Sequence, residues 1–400
     1  MTYNLLNFPT TLYYNDAVSD FMPRTYVLKS IIDDYEPDLL LVCELENIQG
    51  ANLILNEVLH TEDHKYSCPD FVYNQSSKDR SLQQFIYYNN QKLTLESQHT
   101  IHTAIRDINH YEFKLSIYNQ AIYLDVFVAH LKAGGGSNNE NKRLKMVKKL
   151  TEYLENIPTD HYVIFGGDFN LYDADEPAYQ NLLSTNNAII LKDPIDRYGN
   201  WHNNADFQDI HTQSPLTYNG GFQDNSGDTD GATGGMDDRF DFILVSENLL
   251  NSSDLYYVDG TYHAYGNNGN CFNDNINDVS CNGDFYSQEL RDQLANMSDH
   301  LPVVMTLQTP QTLSVEGILS TSKLRFISPN RSQKELLLVA SEDLLGHTLV
   351  IYNQMGQNIK EFTIAHQNIS LDISGMSQGV YWLTVKGIQD SHLPLKFIKN

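Results

Sequence analysis

Short apolar runs alternate with amphipathic stretches along most of the chain. Leu39–Glu44, Phe85–Tyr88, Tyr123–His130, Tyr162–Gly166, Phe240–Ser246 and Leu301–Leu307 are rich in β-branched or aromatic residues, and each predicts a strand. Thr25–Tyr35 and Asn139–Ile157 predict helices. In the second, Leu144, Val147, Leu150, Leu154 and Ile157 recur at three- and four-residue steps, with lysines on the other face. Such a mixture predicts an α/β or α+β domain whose polar strand ends carry the chemistry.

The pattern changes after a Pro/Gln/Thr/Ser stretch at 308–314. Leu336–Val339, Thr348–Tyr352, Ile369–Ile373 and Val380–Val385 are short strands set apart by Gly and Asn turns, and no helical period appears. The expected division is a first domain over 1–309, a linker over 310–322 and a small all-β sandwich of about seven strands over 323–400. Charge divides at the same place. Residues 310–400 hold 8 Lys/Arg against 7 Asp/Glu, whereas the upstream part holds 18 against 44.

The whole chain, 400 residues with a net charge of −25, has enough apolar material for a core and no run long enough to span a bilayer. An acidic balance excludes nucleic-acid binding by a basic face of the histone or repressor kind. It leaves room for an enzyme that meets one phosphate through a bound cation. Of the four cysteines, Cys43 reads as core, and Cys271 and Cys281 are placed to close a short loop in an oxidising compartment. Met1-Thr2-Tyr3-Asn4 shows no cationic, apolar leader.

Polar residues recur where the strand patterns end. In Gly166-Gly167-Asp168-Phe169-Asn170 the glycines permit a tight turn, and Asp168 and Asn170 share a face. Ser298-Asp299-His300-Leu301-Pro302 carries a histidine suited to general-base work, and Asp241 opens an otherwise apolar strand. A buried carboxylate needs a partner, so Asp241 with His300 predicts an orienting pair. Glu44, with Glu46 on its face, and a carbonyl oxygen from Asn4 suit a hard cation such as Mg²⁺. His130 ends its strand just before a glycine loop, Gly134-Gly135-Gly136, and a lysine-rich helix, an arrangement that suits an anion. The Gly/Asp loop over 224–238 reads as a rim segment with the composition, though not the spacing, of a Ca²⁺ loop.

Taken in order, Tyr3-Asn4, Pro37-Asp38 with Glu44, His130, Gly167-Asp168-Phe169-Asn170, Asp241 and Ser298-Asp299-His300-x-Pro302 resemble the endonuclease/exonuclease/phosphatase family, the deoxyribonuclease I-like fold. The resemblance covers about 1–308 and implies a four-layer sandwich, two packed β-sheets flanked by helices. It also implies a catalytic set of His130, Asp168, Asn170, Asp241 and His300, with Mg²⁺ or Mn²⁺ held by Asn4, Glu44 and Asp299. Glu44 is then the main metal ligand, and His300, oriented by Asp241, positions the attacking water. Asp168 and Asn170 align water and phosphoryl oxygens, while His130 stabilises the transition state or assists the leaving group. Whether Asp168 or His300 is the base stays open. The implied chemistry is in-line attack of water on phosphorus.

The tail has its own resemblance. Ser328-Pro329-Asn330, Leu349 through Gly356, Leu371-Asp372-Ile373-Ser374, Ser377-Gln378-Gly379-Val380-Tyr381 and Lys396-Phe397-Ile398-Lys399 resemble the C-terminal sorting domain of type IX secretion. The resemblance implies handling by that secretion machinery and a secreted or cell-surface location. Export implies a leader, so the natural start is expected upstream of Met1. The function expected is a secreted phosphodiesterase acting on DNA or RNA. The alternatives are a sphingomyelinase-like or small phosphate-ester hydrolase and, in another class, a non-catalytic surface binding protein.

Overall fold

The computed structural model describes residues 1–9, 24–60, 64–75, 82–115, 121–215, 222–223, 229–232, 234–309, 324–326, 331–332, 334–387 and 394–399. The chain divides into two units, Met1–Pro310 and Gln311–Asn400. The expected linker over 310–322 lies outside the described residues, as does Ser328-Pro329-Asn330.

Two six-stranded sheets build the first unit. One runs in the order β14 (His263–Ala264), β15 (Val303–Val304), β1 (Thr2–Phe8), β2 (Leu39–Leu45), β4 (Gln83–Asn89), β3 (Tyr66–Ser67). The other runs β5 (Leu93–Ile101), β6 (Ile108–Leu115), β7 (Tyr123–His130), β8 (Tyr162–Asp168), β12 (Asp241–Ser246), β9 (Leu191–Lys192). Two short ribbons accompany them, β10 (Phe222–Gln223) with β11 (Thr229–Asp230) and β13 (Tyr256–Tyr257) with β16 (Leu307–Gln308).

Strand alternation explains the layering. In β2, Leu41 and Cys43 face the second sheet, where they pack with Ile86 against Val126, Val128, Ile164 and Ile243. Leu40 and Val42 face the other way, under α1 (Arg24–Tyr35) and α6 (Gln288–Met297), against Leu28, Ile31 and Leu294. On the far side, Phe127, Phe165 and Phe242 pack beneath α3 (Ser137–Leu154) and α4 (Pro177–Leu182). Each such side chain contributes about 1.5–3 kcal/mol by leaving water. Two short helices, α2 (Ile48–Leu53) and α5 (Glu247–Asn251), complete the unit. The result is the expected four-layer sandwich.

Two differences from the sequence expectation have physical causes. Leu301–Leu307 is not one strand: Val303–Val304 lies between β1 and β14, and Leu307–Gln308 then changes partner to β13. The β5–β6 hairpin was not predicted, because β5 places Glu96, Gln98 and His99 among its few apolar positions at a half-exposed sheet edge.

The second unit is all-β, as expected. It has a three-stranded sheet, β17 (Leu324–Phe326), β19 (Glu335–Ala340), β22 (Asn368–Asp372), and a five-stranded one, β18 (Arg331–Ser332), β24 (Leu395–Lys399), β23 (Gly379–Val385), β20 (Thr348–Asn353), β21 (Asn358–Thr363). Leu336, Leu338, Leu349, Ile351, Leu383 and Phe397 form its core. Among the described residues, no helix is long and apolar enough to cross a membrane.

Candidate active site

The register of the second sheet sets three polar residues in a row. In the parallel pair β7–β8, His130 lies opposite Asp168, and in the antiparallel pair β8–β12, Asp168 lies opposite Asp241. All three are nearly fully buried. Gly167 makes the approach possible, since a Cβ there would stand 1.9 Å from the Ala129 carbonyl oxygen, and its φ of 140° suits only glycine. Asn170 follows with φ 51°, and its amide donates to Asp168 Oδ1 at 2.7 Å.

The first sheet supplies the opposite wall. Glu44 has φ 58°, and the β1–β2 register shifts between Asn4 and Phe8. Strand alternation therefore breaks at Glu44, so Glu46 does not join the set as the sequence suggested. Asn4 links the two sheets, its Nδ2 donating to Glu44 Oε1 and to Asp168 Oδ2, both at 3.0 Å. Its Oδ1 accepts the Leu6 N–H at 3.0 Å, so the amide nitrogen faces the carboxylates.

His300 completes the group. Its Nδ1 is 2.6 Å from Asp241 Oδ2, and Thr212 Oγ1 donates to the same oxygen at 2.8 Å. With Asp241 taking the Nδ1 proton, Nε2 faces Asp168 Oδ2 at 3.8 Å. Asp299 stands apart from this contact. Its Oδ2 accepts the Ala232 N–H at 2.7 Å, and its Oδ1 is buried without a partner. Ala232 belongs to the Gly/Asp loop, of which 224–228 and 233 lie outside the described residues.

Burial and mutual repulsion set the charges. Burial, with Asp241 and Glu44 nearby, pushes Asp168 up to about 7 despite His300 and Asn4. Glu44 is also raised, first by burial and then by Asp299. Burial opposes charge on His300, but Asp241, Asp168 and Asp299 outweigh it and hold the imidazole well above its ordinary range. His130 goes the other way, well below, through burial and then the positive Arg106, His300 and Lys132. Glu44, His130 and Asp168 each offer a ligand atom, all within 4.8 Å of one another. Crowded carboxylates, a neutral imidazole and the orphaned Asp299 oxygen fit a divalent cation. Of the expected Asn4, Glu44 and Asp299, Glu44 belongs to this group, with Asn4 hydrogen-bonded to it.

Sequence reasoning missed several supports. Arg106, on the β5–β6 loop, donates from Nη1 to the carbonyls of Leu131 (2.8 Å) and His130 (3.3 Å). Arg143 grips Glu176 at 2.9 and 2.8 Å and also the Lys132 and Gly134 carbonyls, fixing the glycine loop after His130. Arg239 grips Asp193 at 2.7 and 3.0 Å, just before Asp241. Each partner lies nine or more residues away along the chain, so local spacing carries no signal of the contact.

Residues 327–400 match the family described as secretion system C-terminal sorting domain. This is a secreted or cell-surface protein. The match agrees with the type IX sorting tail expected from the sequence. A curated relative, the β-agarase A of Zobellia galactanivorans, is 24% identical over 75 residues, 19% of this chain and 14% of the relative. The chain thus spans about one-seventh of that protein's length. Solved structures similar to the chain include a humanized D. rerio TDP2 (17% identical, TM-score 0.45, covering 77% of this chain and 97% of that one). A functionally unknown conserved protein from Enterococcus faecalis V583 is 15% identical, with TM-score 0.46 and coverages of 77% and 98%. An endonuclease/exonuclease/phosphatase from Bacteroides vulgatus is 14% identical, with TM-score 0.43 and coverages of 77% and 97%.

Proposed function

We propose that this exported chain is a divalent-metal-dependent phosphoesterase, and that its substrate is a phosphodiester of extracellular DNA or RNA. The carrying observation is the convergence of Glu44, His130 and Asp168 beside the His300–Asp241 pair. Glu44, Asp168 and neutral His130 are the residues that would hold Mg²⁺ or Mn²⁺. When bound, the cation supplies neutralising charge for phosphoryl oxygens.

The chain's own residues do the rest. Asp241 holds the His300 ring with Nε2 toward Asp168; the protonated Nε2 orients a water between them, and the Asp168 carboxylate takes that water's proton. Asn170 fixes Asp168 through Oδ1, leaving Oδ2 to face the reacting atoms. Arg106 and Lys132 bring positive charge beside His130 and so favour a phosphate there. Displacement in line then forms the water oxygen–phosphorus bond as the ester bond breaks.

A second reading is favoured by one observation. The upstream part of the chain, with 44 acidic against 18 basic side chains, repels a polyanion, which favours a small phosphate ester. Nicking of supercoiled plasmid with Mg²⁺, with chelator and with His300→Ala separates the two. Chelator-sensitive nicking lost in the variant supports the nuclease. Absent nicking with turnover of a small phosphate ester would move the substrate and keep the site.

A further inference from the structure

Residues 1–309 carry 44 acidic against 18 basic side chains, so a cation there has carboxylates on every side to pair with. Arg143 and Arg239 do pair, with Glu176 and Asp193. Arg106, Lys132 and Lys142 do not. Among the described residues none of these three makes an ion pair, and Glu140, in the first turn of α3, is not paired with any of them. Neutral oxygens hold them instead. Arg106 Nη1 donates to the Leu131 and His130 carbonyls at 2.8 and 3.3 Å, and Lys132 Nζ to the Ala133 carbonyl at 2.9 Å. Lys142 Nζ meets Asn139 Oδ1 at 3.4 Å, and Asn139 Nδ2 donates to the Gly135 carbonyl at 3.2 Å.

The three cations thus stand around one loop, 131–136, that leaves β7 directly after His130. Arg143 stiffens the same loop through the Lys132 and Gly134 carbonyls at 2.8 and 2.9 Å. A Cβ on Gly136 would meet nothing within 4 Å, so the loop is open on that side. The crowding is felt: Lys132 is held below its ordinary range, first by burial and then by Arg106, Lys142 and Arg143. Like charges fixed together with no counter-charge are unfavourable until an anion joins them. Carbonyl contacts occupy Nη1 of Arg106 and leave the rest of its donor fork available.

We propose that Arg106, Lys132 and Lys142 set substrate specificity, seating a second phosphoryl group on the 131–136 loop while the first meets the Glu44 cluster. This deepens the phosphoesterase reading and rests on it. It also reconciles two facts about charge. The acidic exterior repels polyanions in general, whereas the cations at the site select a substrate with two phosphoryl groups close together.

The test compares two chromogenic diesters on the full chain with Mg²⁺: thymidine 5′-(p-nitrophenyl phosphate) and the same compound carrying a 3′-phosphate. KM should be at least about tenfold lower for the second, and added salt should shrink the gap. In Lys132→Gln with Lys142→Gln the ratio of the two KM values should fall toward one, whereas Lys132→Arg with Lys142→Arg should keep it. Lysines with a purely structural role would move both KM values alike. Circular dichroism checks that the variants fold. Binding is read apart from turnover, by calorimetric titration of the His300→Ala chain in Mg²⁺ with thymidine 5′-phosphate and thymidine 3′,5′-bisphosphate. The bisphosphate should bind about tenfold more tightly, and adding Lys132→Gln and Lys142→Gln should erase the difference. Equal affinities in His300→Ala, or an undiminished difference in the lysine variant, would overturn the proposal. Absence of turnover on both diesters would instead count against the phosphoesterase reading, with the titration still deciding the subsite. Tetrathymidylate binding more tightly than the bisphosphate would assign the second group to a nucleic-acid chain, and equal binding to a small ester; both outcomes uphold the subsite.

Discussion

Two buried aspartate–histidine pairs among the described residues differ sharply in their surroundings. Asp241 meets His300 at 2.6 Å, and Asp125 meets His110 at the same distance. Around Asp125 the bonding is closed. Its second oxygen takes His161 Nδ1 at 2.7 Å, His110 Nδ1 meets the Tyr153 hydroxyl at 3.1 Å, and His110 stacks on Phe127 at 4.3 Å. Around His300 the bonding is open. Asp241 Oδ1, Asp299 Oδ1 and His130 Nδ1 are buried without partners, and Glu44 and Asp168 converge with His130 nearby. A short Asp–His contact is therefore common to both, and the unsatisfied neighbours distinguish the pair proposed for catalysis.

Exchanging the two pairs should expose the difference. His300→Ala should lower chelator-sensitive phosphodiester hydrolysis by about 10²–10⁴-fold in protein that still folds, beyond the cost of about 1–3 kcal/mol for leaving Asp241 short of a donor. Loss of activity accompanied by equal loss of stability would erase the contrast. The open cluster should also leave a mark on the pH dependence of stability in metal-free protein. Asp168, raised from its unfolded value to about 7, and His300, raised well above its own, both bind protons more tightly in the folded state. Folded-state stability should accordingly fall as pH rises from about 4 through 7 and beyond. Melting scans after chelation should drop by several degrees between pH 5 and 8, and saturating Mg²⁺ should flatten the drop.

The closed pair should respond in the opposite manner. His110→Gln leaves Asp125 short of a donor, costing about 1–3 kcal/mol by denaturant titration, with catalysis within about threefold of wild type. A smaller effect separates support from chemistry within the open group. Thr212→Val removes one of the two donors to Asp241 Oδ2 and should reduce turnover about tenfold, equivalent to about 1.4 kcal/mol, without changing metal affinity.

Legibility from sequence followed the range of the interaction. Tyr123–His130 was readable because its apolar positions, interrupted only by Asp125, lead to a polar strand end at His130. Gly167 and Asp168 were readable because a tight approach leaves a local mark, two glycines before an acid. Glu44 was found, yet its left-handed backbone and the failure of Glu46 to share its face were not, since both arise from a register shift against β1. The orientation of Asn4 depends on Leu6 on one side and on Glu44 and Asp168 on the other, which no spacing encodes. The Cys271–Cys281 disulfide was one pairing that the spacing allowed, and it is formed.

Asn4 and Glu44 come from one sheet and His130, Asp168 and Asp241 from the other, so the seam between the sheets runs through the site. Time enters here. A chain that reaches its destination unfolded can recover every strand and helix and still be inert, because the Asn4 bridge exists only once Leu41 and Cys43 have docked against the facing sheet. The proposed activity would thus report on the docking of the two sheets. It should lag the return of secondary structure during refolding, and no fragment carrying a single sheet should keep a trace of it.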